Sequence, residues 1–303
     1  MRYERMKFCK ILNALDSEEK ARIRIWLAKF DGKEFTCPKC KNESYYQHHK
    51  NPEVRECKKC HFEVRLRANT IFQSSKVPML TWLKAVCFVT QGKRGVSALE
   101  LQGDLEMKSY GTAWTLLHKI REAFRQRDEK YKLKNIIELD GAVFGKRQTG
   151  NQTEVLVAVE TKDWRDQKGH KKSKAGFAKV MVTKETKKEA QRFIDKAIEK
   201  NSMVNTDGSP SLIHLENMDV DYQVVGSNQE MLDHWLPCVH KFISNAKFWI
   251  IGTHHGVESK YLKQYLAEYT FRFNRRHDPD SLFFRALGAC VHAKPIKSQV
   301  LFR

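Results

Sequence analysis

The chain has 303 residues, 41% of them hydrophobic, and a formal net charge of +19. The composition excludes a disordered tail. No apolar run approaches the ~18 residues of a membrane span, and the opening MRYERMKFCK lacks the apolar core of a secretory leader, so we expect a soluble, cytoplasmic protein and no membrane partner. The length allows one large core or two to three modules. So large a positive excess calls for a polyanionic partner, with nucleic acid first and an anionic membrane second.

Residues 11–30, ILNALDSEEKARIRIWLAKF, read as a helix with Leu12, Leu15, Ile23, Trp26, Leu27 and Phe30 as its apolar stripe and DSEE as a start signal part-way along. DGKEFT breaks that pattern. Cys37-Pro-Lys-Cys40 and Cys57-Lys-Lys-Cys60 follow, sixteen residues apart. Each Cys-x-x-Cys turn aims two thiolates at one point, and two such turns close a tetrahedral site with no position left for water, which is the chemistry of a structural Zn2+. Redox dithiols would need an α/β context, whereas Lys and Asn surround these pairs. His48, His49 and His61 read as surface groups in preference to substitute ligands, and Cys87 as core. Lys39, Lys58, Lys59, Arg65 and Arg67 crowd the module, so it reads as a DNA-binding device.

Helical periodicity resumes from Val77 to about Tyr131. In GVSALELQGDLEMKSYGTAWTLLHKIREAF, Ser97 caps a first helix with Ala98, Leu101 and Leu105 inward, EMKSY turns, and Gly111 to Phe124 form a second helix packed through Trp114, Leu117, Ile120 and Phe124. Two readings fit this rhythm. One is a helix-turn-helix in which Lys108, Ser109, Tyr110 and Thr112 meet DNA. The other is a helical hairpin between domains. The net charge favours the first.

After KYKLK the runs NIIELDGAVFG, TEVLVAVETK and FAKVMVTK are β-rich, and KKEAQRFIDKAIEK is a helix. The short strands SMVNTDGSP and DYQVVG and two closing helices, about 228–251 and 258–274, complete a mixed α/β domain. The resulting division is a helical segment 1–34, a zinc module 35–70, a helical DNA-binding or linker region 71–131, and an α/β domain 132–303. Asp140 and Asp207 each end an apolar run before a Gly, and Glu138 shares the strand face of Asp140. An Asp-Gly pair is also a common turn. Two of them in a basic α/β domain can instead hold Mg2+ or Mn2+ for phosphoryl transfer. Glu230 and Glu258 are candidates for a third carboxylate, but Asn245 stands between them.

Together these stretches resemble the bacterial insertion-sequence transposases that join an N-terminal zinc ribbon to an RNase H-like DDE domain, relatives of the Merlin transposases. The likeness runs from DGKEFTCPKC and CKKCHFEVRLRANTIF through YGTAWTLLHKIREA, ELDGAVFGK and NTDGS to GTHHGVESKYLKQYLAEYTFRFNRR. It implies Asp140 and Asp207 as the first two metal-binding acids and Asn245 at a third position that is Glu in some branches and Asn in others. Gly141 stands where a second acid often follows, and Ala267 where Asp is common. His254 and His255 fit either a contact to the scissile phosphate or a helix break. Arg272, Arg275 and Arg276 fit either a DNA backbone or a solvated face, beside a seam of Leu262, Tyr265, Leu266, Tyr269 and Phe273 that packs on the sheet.

The activity so implied is cleavage and strand transfer at terminal inverted repeats, by a homodimer or higher oligomer on double-stranded repeat and target DNA. The chain would bind zinc structurally and Mg2+ or Mn2+ catalytically. The rival readings are a catalytically inactive or domesticated DNA-binding protein, and a structure-specific nuclease that cleaves without joining.

Overall fold

The computed structural model describes Asn13 and residues 16–145, 152–165, 171–207, 209–212, 221–224 and 235–296. The chain divides into two compact units: Met1–Arg127 with Asp278–Arg303, and Asp128–His277. The first opens with α1 (Glu18–Lys29), which starts at Ser17, whose hydroxyl accepts the Lys20 N–H at 3.3 Å. Its buried stripe is Ala21, Ile25 and Trp26, and Ile23 is 47% exposed, so the expected stripe is rotated about the helix. Leu12 and Leu15 lie outside the described residues. The ribbon follows as the antiparallel strands β1 (Tyr45–Gln47), β2 (Val54–Cys57) and β3 (Glu63–Arg65). Lys29 fastens α1 to it, donating to the carbonyls of Arg65, Leu66 and Ala68 at 2.8, 3.1 and 2.7 Å, and burial pushes this ammonium down to about 8.

Three helices come next: α2 (Met79–Thr90), α3 (Ala98–Asp104) and α4 (Tyr110–Asp128). Ser97 and Glu100 form a reciprocal capping box at the start of α3, as the Ser-x-x-Glu spacing dictates. Ala98 and Leu101 are buried there, and Leu117, Ile120 and Phe124 on α4. Trp114 is half-buried and stacks on His118.

The second unit is built on one five-stranded sheet of order β6-β5-β4-β7-β8. β4 (Ile136–Phe144), β5 (Thr153–Arg165) and β6 (Lys171–Val182) form an antiparallel meander. After α5 (Lys187–Ala197), β7 (Met203–Thr206) returns parallel to β4, and β8 (Asp221–Val224) lies parallel to β7. Side chains alternate along β4. Ile137 and Leu139 pack with Ala190, Phe193, Ile194 and Ala197 of α5. Ala142 and Phe144 face the opposite layer, made by α6 (Pro237–His254) and α7 (Ser259–Asn274), with Val239, Phe242, Leu262 and Leu266. Glu138 and Asp140 therefore point to the α6 side. The expected seam on α7 holds: Leu262 and Leu266 are buried and Tyr265, Tyr269 and Phe273 pack beside them.

The chain then rejoins the first unit as α8 (Pro279–His292), begun by Asp278, whose carboxylate accepts the Ser281 N–H. Leu282, Phe283, Leu287 and Cys290 are buried, and Cys290 accepts the Ile71 N–H through its carbonyl at 3.3 Å. This helix lay undivided from the α/β domain in the 132–303 boundary. Its apolar face belongs to the other core, so residues 278–303 group with the N-terminal unit. Among the described residues no helix is long and apolar enough to cross a membrane.

Candidate functional site

In the ribbon the two Cys-x-x-Cys turns are built alike. The Lys41 N–H donates to the Cys37 carbonyl (2.9 Å), and the His61 N–H to that of Cys57 (3.0 Å). Each turn is closed by a left-handed residue, Lys41 at φ 61° and His61 at φ 55°. The Sγ atoms of Cys37 and Cys60 lie 3.5 Å apart, as do those of Cys40 and Cys57. A tetrahedron with Zn–S of ~2.3 Å has S···S edges of about 3.8 Å, so the sulfurs already stand almost at ligand spacing. All four ligand atoms fall within 4.8 Å of one another. Burial opposes ionisation of Cys57, but N–H groups of Cys60 and Lys59 aimed at its sulfur bring it down to about 6, favouring the thiolate that a metal takes. His61 instead bonds Glu56 at 2.6 Å, and His48 accepts N–H groups of Lys50 and Asn51.

The acidic site sits on the sheet. Leu139 of β4 is in register with Thr206 of β7, the last pair of that parallel ladder, so Asp140, within β4, and Asp207, just past β7, follow it on neighbouring chain segments, and the Asp140 charge acts on Asp207. Both lie on the α6 side and are partly exposed. Burial raises the Asp207 carboxyl, the Ser209 N–H bonded to Oδ1 at 3.1 Å lowers it, and the charges of Asp140 and Glu185 raise it further. Net, it holds its proton above the usual carboxylate range. Gly208 lies outside the described residues.

Three groups that the sequence reading did not assign complete this centre. Glu138 is buried, and its Oε2 accepts the Cys238 and Val239 N–H groups at 2.7 Å each, while Oε1 accepts the Thr161 hydroxyl at 2.8 Å. It thus caps the start of α6 from a neighbouring strand. Burial raises its carboxyl despite these bonds. The tie fixes the first turn of α6, where His240 Nε2 reaches Asp140 Oδ2 at 3.4 Å. Glu185, just before α5, lies against Gly141: a Cβ there would fall on the Glu185 carboxylate, 2.6 Å from its Cδ. Ser209 and Ser211 both donate to Glu185 Oε1. His240 lies in the first turn of α6, a helix whose start the sequence reading placed near 228. Glu185 comes from a loop far off in sequence and left no local signal.

Asn245 lies further along α6. It is exposed, five residues beyond His240, which turns it about 140° around the helix. Glu258 is exposed and paired with Lys260 at 3.2 Å, and Glu230 lies outside the described residues. His254 packs edge-on between the Trp249 and Tyr265 rings, and His255 ends α6 in a left-handed conformation, φ 56°. That arrangement is a helix stop.

The expected DNA contacts sort by exposure. Lys39, Lys58, Lys59, Lys108, Tyr110 and Thr112 are exposed, and Arg65 is exposed beside Glu63. Arg67 is used internally: it grips Glu53 with two bonds of 2.6 and 2.8 Å and donates to the Ser75 and Val77 carbonyls. The C-terminal arginines are internal too. Arg275 pairs with Asp128 at 2.6 Å and stacks over Phe271, Arg276 donates to the carbonyls of Ala175, Gly176 and Phe273, and Arg272, on the Glu268 side, is almost wholly enclosed. These side chains knit the end of α7 to β6 and to Asp128, which corrects their reading as backbone contacts.

The described residues thus offer two donor sets, four sulfurs in the ribbon and the carboxylates of Asp140 and Asp207 on the sheet. Residues 126–274, just under half of the chain, match the family model described as ISXO2-like transposase domain, and that segment belongs to this family. The likeness to insertion-sequence transposases is thereby borne out, and the family is one of enzymes that act on DNA. Comparisons with curated proteins and with solved structures return no match.

Proposed function

We propose that this protein is the transposase of an insertion sequence, cutting and joining DNA at terminal inverted repeats with Asp140 and Asp207 as metal-holding acids. The observation that carries the reading is that Asp140, within β4, and Asp207, just past the end of β7, follow the last registered pair of that parallel ladder, with burial and the Asp140 charge both holding Asp207 against ionisation. Paired, partly buried carboxylates that repel one another form a donor set for Mg2+ or Mn2+. When bound, such ions neutralise charge gathering on the phosphoryl group. The sheet order, an antiparallel trio joined to a parallel pair, supports an RNase H-like domain.

Asp140 and Asp207 would hold the cations through which the anionic ester is bound and oriented. His240 fixes the Asp140 carboxylate and stands where it can carry a proton from the attacking hydroxyl, and the charge of Glu185 adds to the burial that raises the Asp207 carboxyl. First, water adds to phosphorus as the 3′-oxygen leaves and takes a proton. Then that 3′-OH attacks a target phosphodiester, breaking the P–O bond to the target's own 3′-oxygen. The zinc ribbon and the exposed start of α4 serve terminal-repeat binding, and pairing two ends calls for a dimer or larger.

The test is a strand-transfer assay on repeat-ended duplexes with Mg2+ or Mn2+. Asp140→Ala and Asp207→Ala are expected to cut joining by at least about a hundredfold with DNA affinity kept, and His240→Ala to reduce it less. A wild-type chain that binds the repeats and never cuts would establish the inactive binder instead. Cleavage without joining would establish a nuclease.

A further inference from the structure

A cavity of about 390 Å3 in the first unit lies between the 74–82 segment and the start of α4. Ser74, Ser75, Ser109, Thr112 and Lys119 line it, and no carboxylate does among the described residues. Lys119 is 95% buried, being 5% exposed. A buried ammonium carries a desolvation cost unless something pairs with it. Burial lowers the pKa of the Lys119 ammonium, which favours its neutral form unless an anion is bound.

The hydroxyls are arranged to donate. Ser75 Oγ already accepts the Val77 N–H and the Trp82 Nε1–H, each at 3.2 Å, so its own proton is left to point elsewhere. At the mouth, Ser109 caps α4 through its carbonyl, which accepts the Thr112 and Ala113 N–H groups. The positive end of this 19-residue helix stands at the same space. A cavity lined by donors, holding an enclosed cation and no acid, is complementary to a tetrahedral oxyanion.

We infer that this cavity binds a phosphate group, with Lys119 supplying the charge and Ser75, Ser109 and Thr112 the hydrogen bonds, and that a DNA backbone phosphate fills it. The site itself stands on its own geometry. Only the source of the phosphate rests on the reading of this chain as a DNA-acting transposase.

Two measurements on the full chain test it. In the first, thermal unfolding is followed in inorganic phosphate and in chloride at matched ionic strength. Phosphate is expected to raise the wild-type Tm and to leave Lys119→Met unmoved. An equal rise in both proteins overturns the site. Lys119→Gln, which keeps a donor without the charge, replaces the Met variant should that one fail to fold. In the second, duplex affinity is measured against salt. Loss of one phosphate contact is expected to weaken binding about three- to tenfold and to lower the log–log salt slope by about 1. A phosphate response that needs Lys119, together with an unchanged salt slope, overturns the DNA source and leaves a free-anion site. That outcome is independent of whether Asp140 and Asp207 cut DNA.

Discussion

The molecule carries two candidate metal sites with opposite states of rest. In the ribbon, twin turns bring sulfurs to 3.5 Å and backbone N–H groups draw Cys57 towards its thiolate. On the sheet, the fold presses Asp207 against Asp140 and Glu185, and the proton is retained longer than in water. The first geometry is settled by main-chain turns and suits an ion that stays. The second stores repulsion that a cation relieves, which suits ions that arrive with substrate. Preorganisation and strain are thus divided between the two candidate sites.

The largest expected effect breaks the ribbon. Structural zinc contributes on the order of 10 kcal/mol in small metal-dependent modules, so Cys57→Ser or a strong chelator should unfold residues 35–70. Metal analysis together with limited proteolysis checks this, and a ribbon that stays protease-resistant without zinc refutes the four-thiolate assignment.

Next comes the tie beneath the acidic site. Glu138→Ala strands two buried N–H groups and the Thr161 hydroxyl, and should cost about 2–4 kcal/mol, read by chemical denaturation. Catalytic loss should accompany it as His240 drifts from Asp140.

The smallest effect has the opposite sign. Because the folded Asp207 carboxyl is raised above its unfolded value, its charged form destabilises the fold at pH values above that raised value. The penalty fades as pH falls below the unfolded 3.8. Asp207→Asn should therefore raise Tm by a few degrees near pH 7 while abolishing activity, and the gain should vanish near pH 4. A Tm that is unchanged, or lowered, at neutral pH would show that the carboxylates do not strain the fold.

What the sequence made legible was local. Cys-x-x-Cys spacing, the Ser97 cap and the alternation around Asp140 each dictate structure within a few residues, and all are seen. Its misreadings share a cause. Arg275 and Arg276 looked like surface cations because their partners, Asp128 and the β6 carbonyls, are about a hundred or more residues away. Glu185 and His240 escaped notice because only the parallel return of β7 and the capping of α6 bring them to Asp140. The segment Asp278-Pro-Asp-Ser does hold a helix start, but nothing in it reveals which core α8 will join.

Gly141 carries a wider consequence. A hydrogen atom there leaves room for the carboxylate of Glu185, so the number of negative groups gathered at the centre is decided by an uncharged residue. Any larger side chain would evict Glu185 and make Asp207 more acidic.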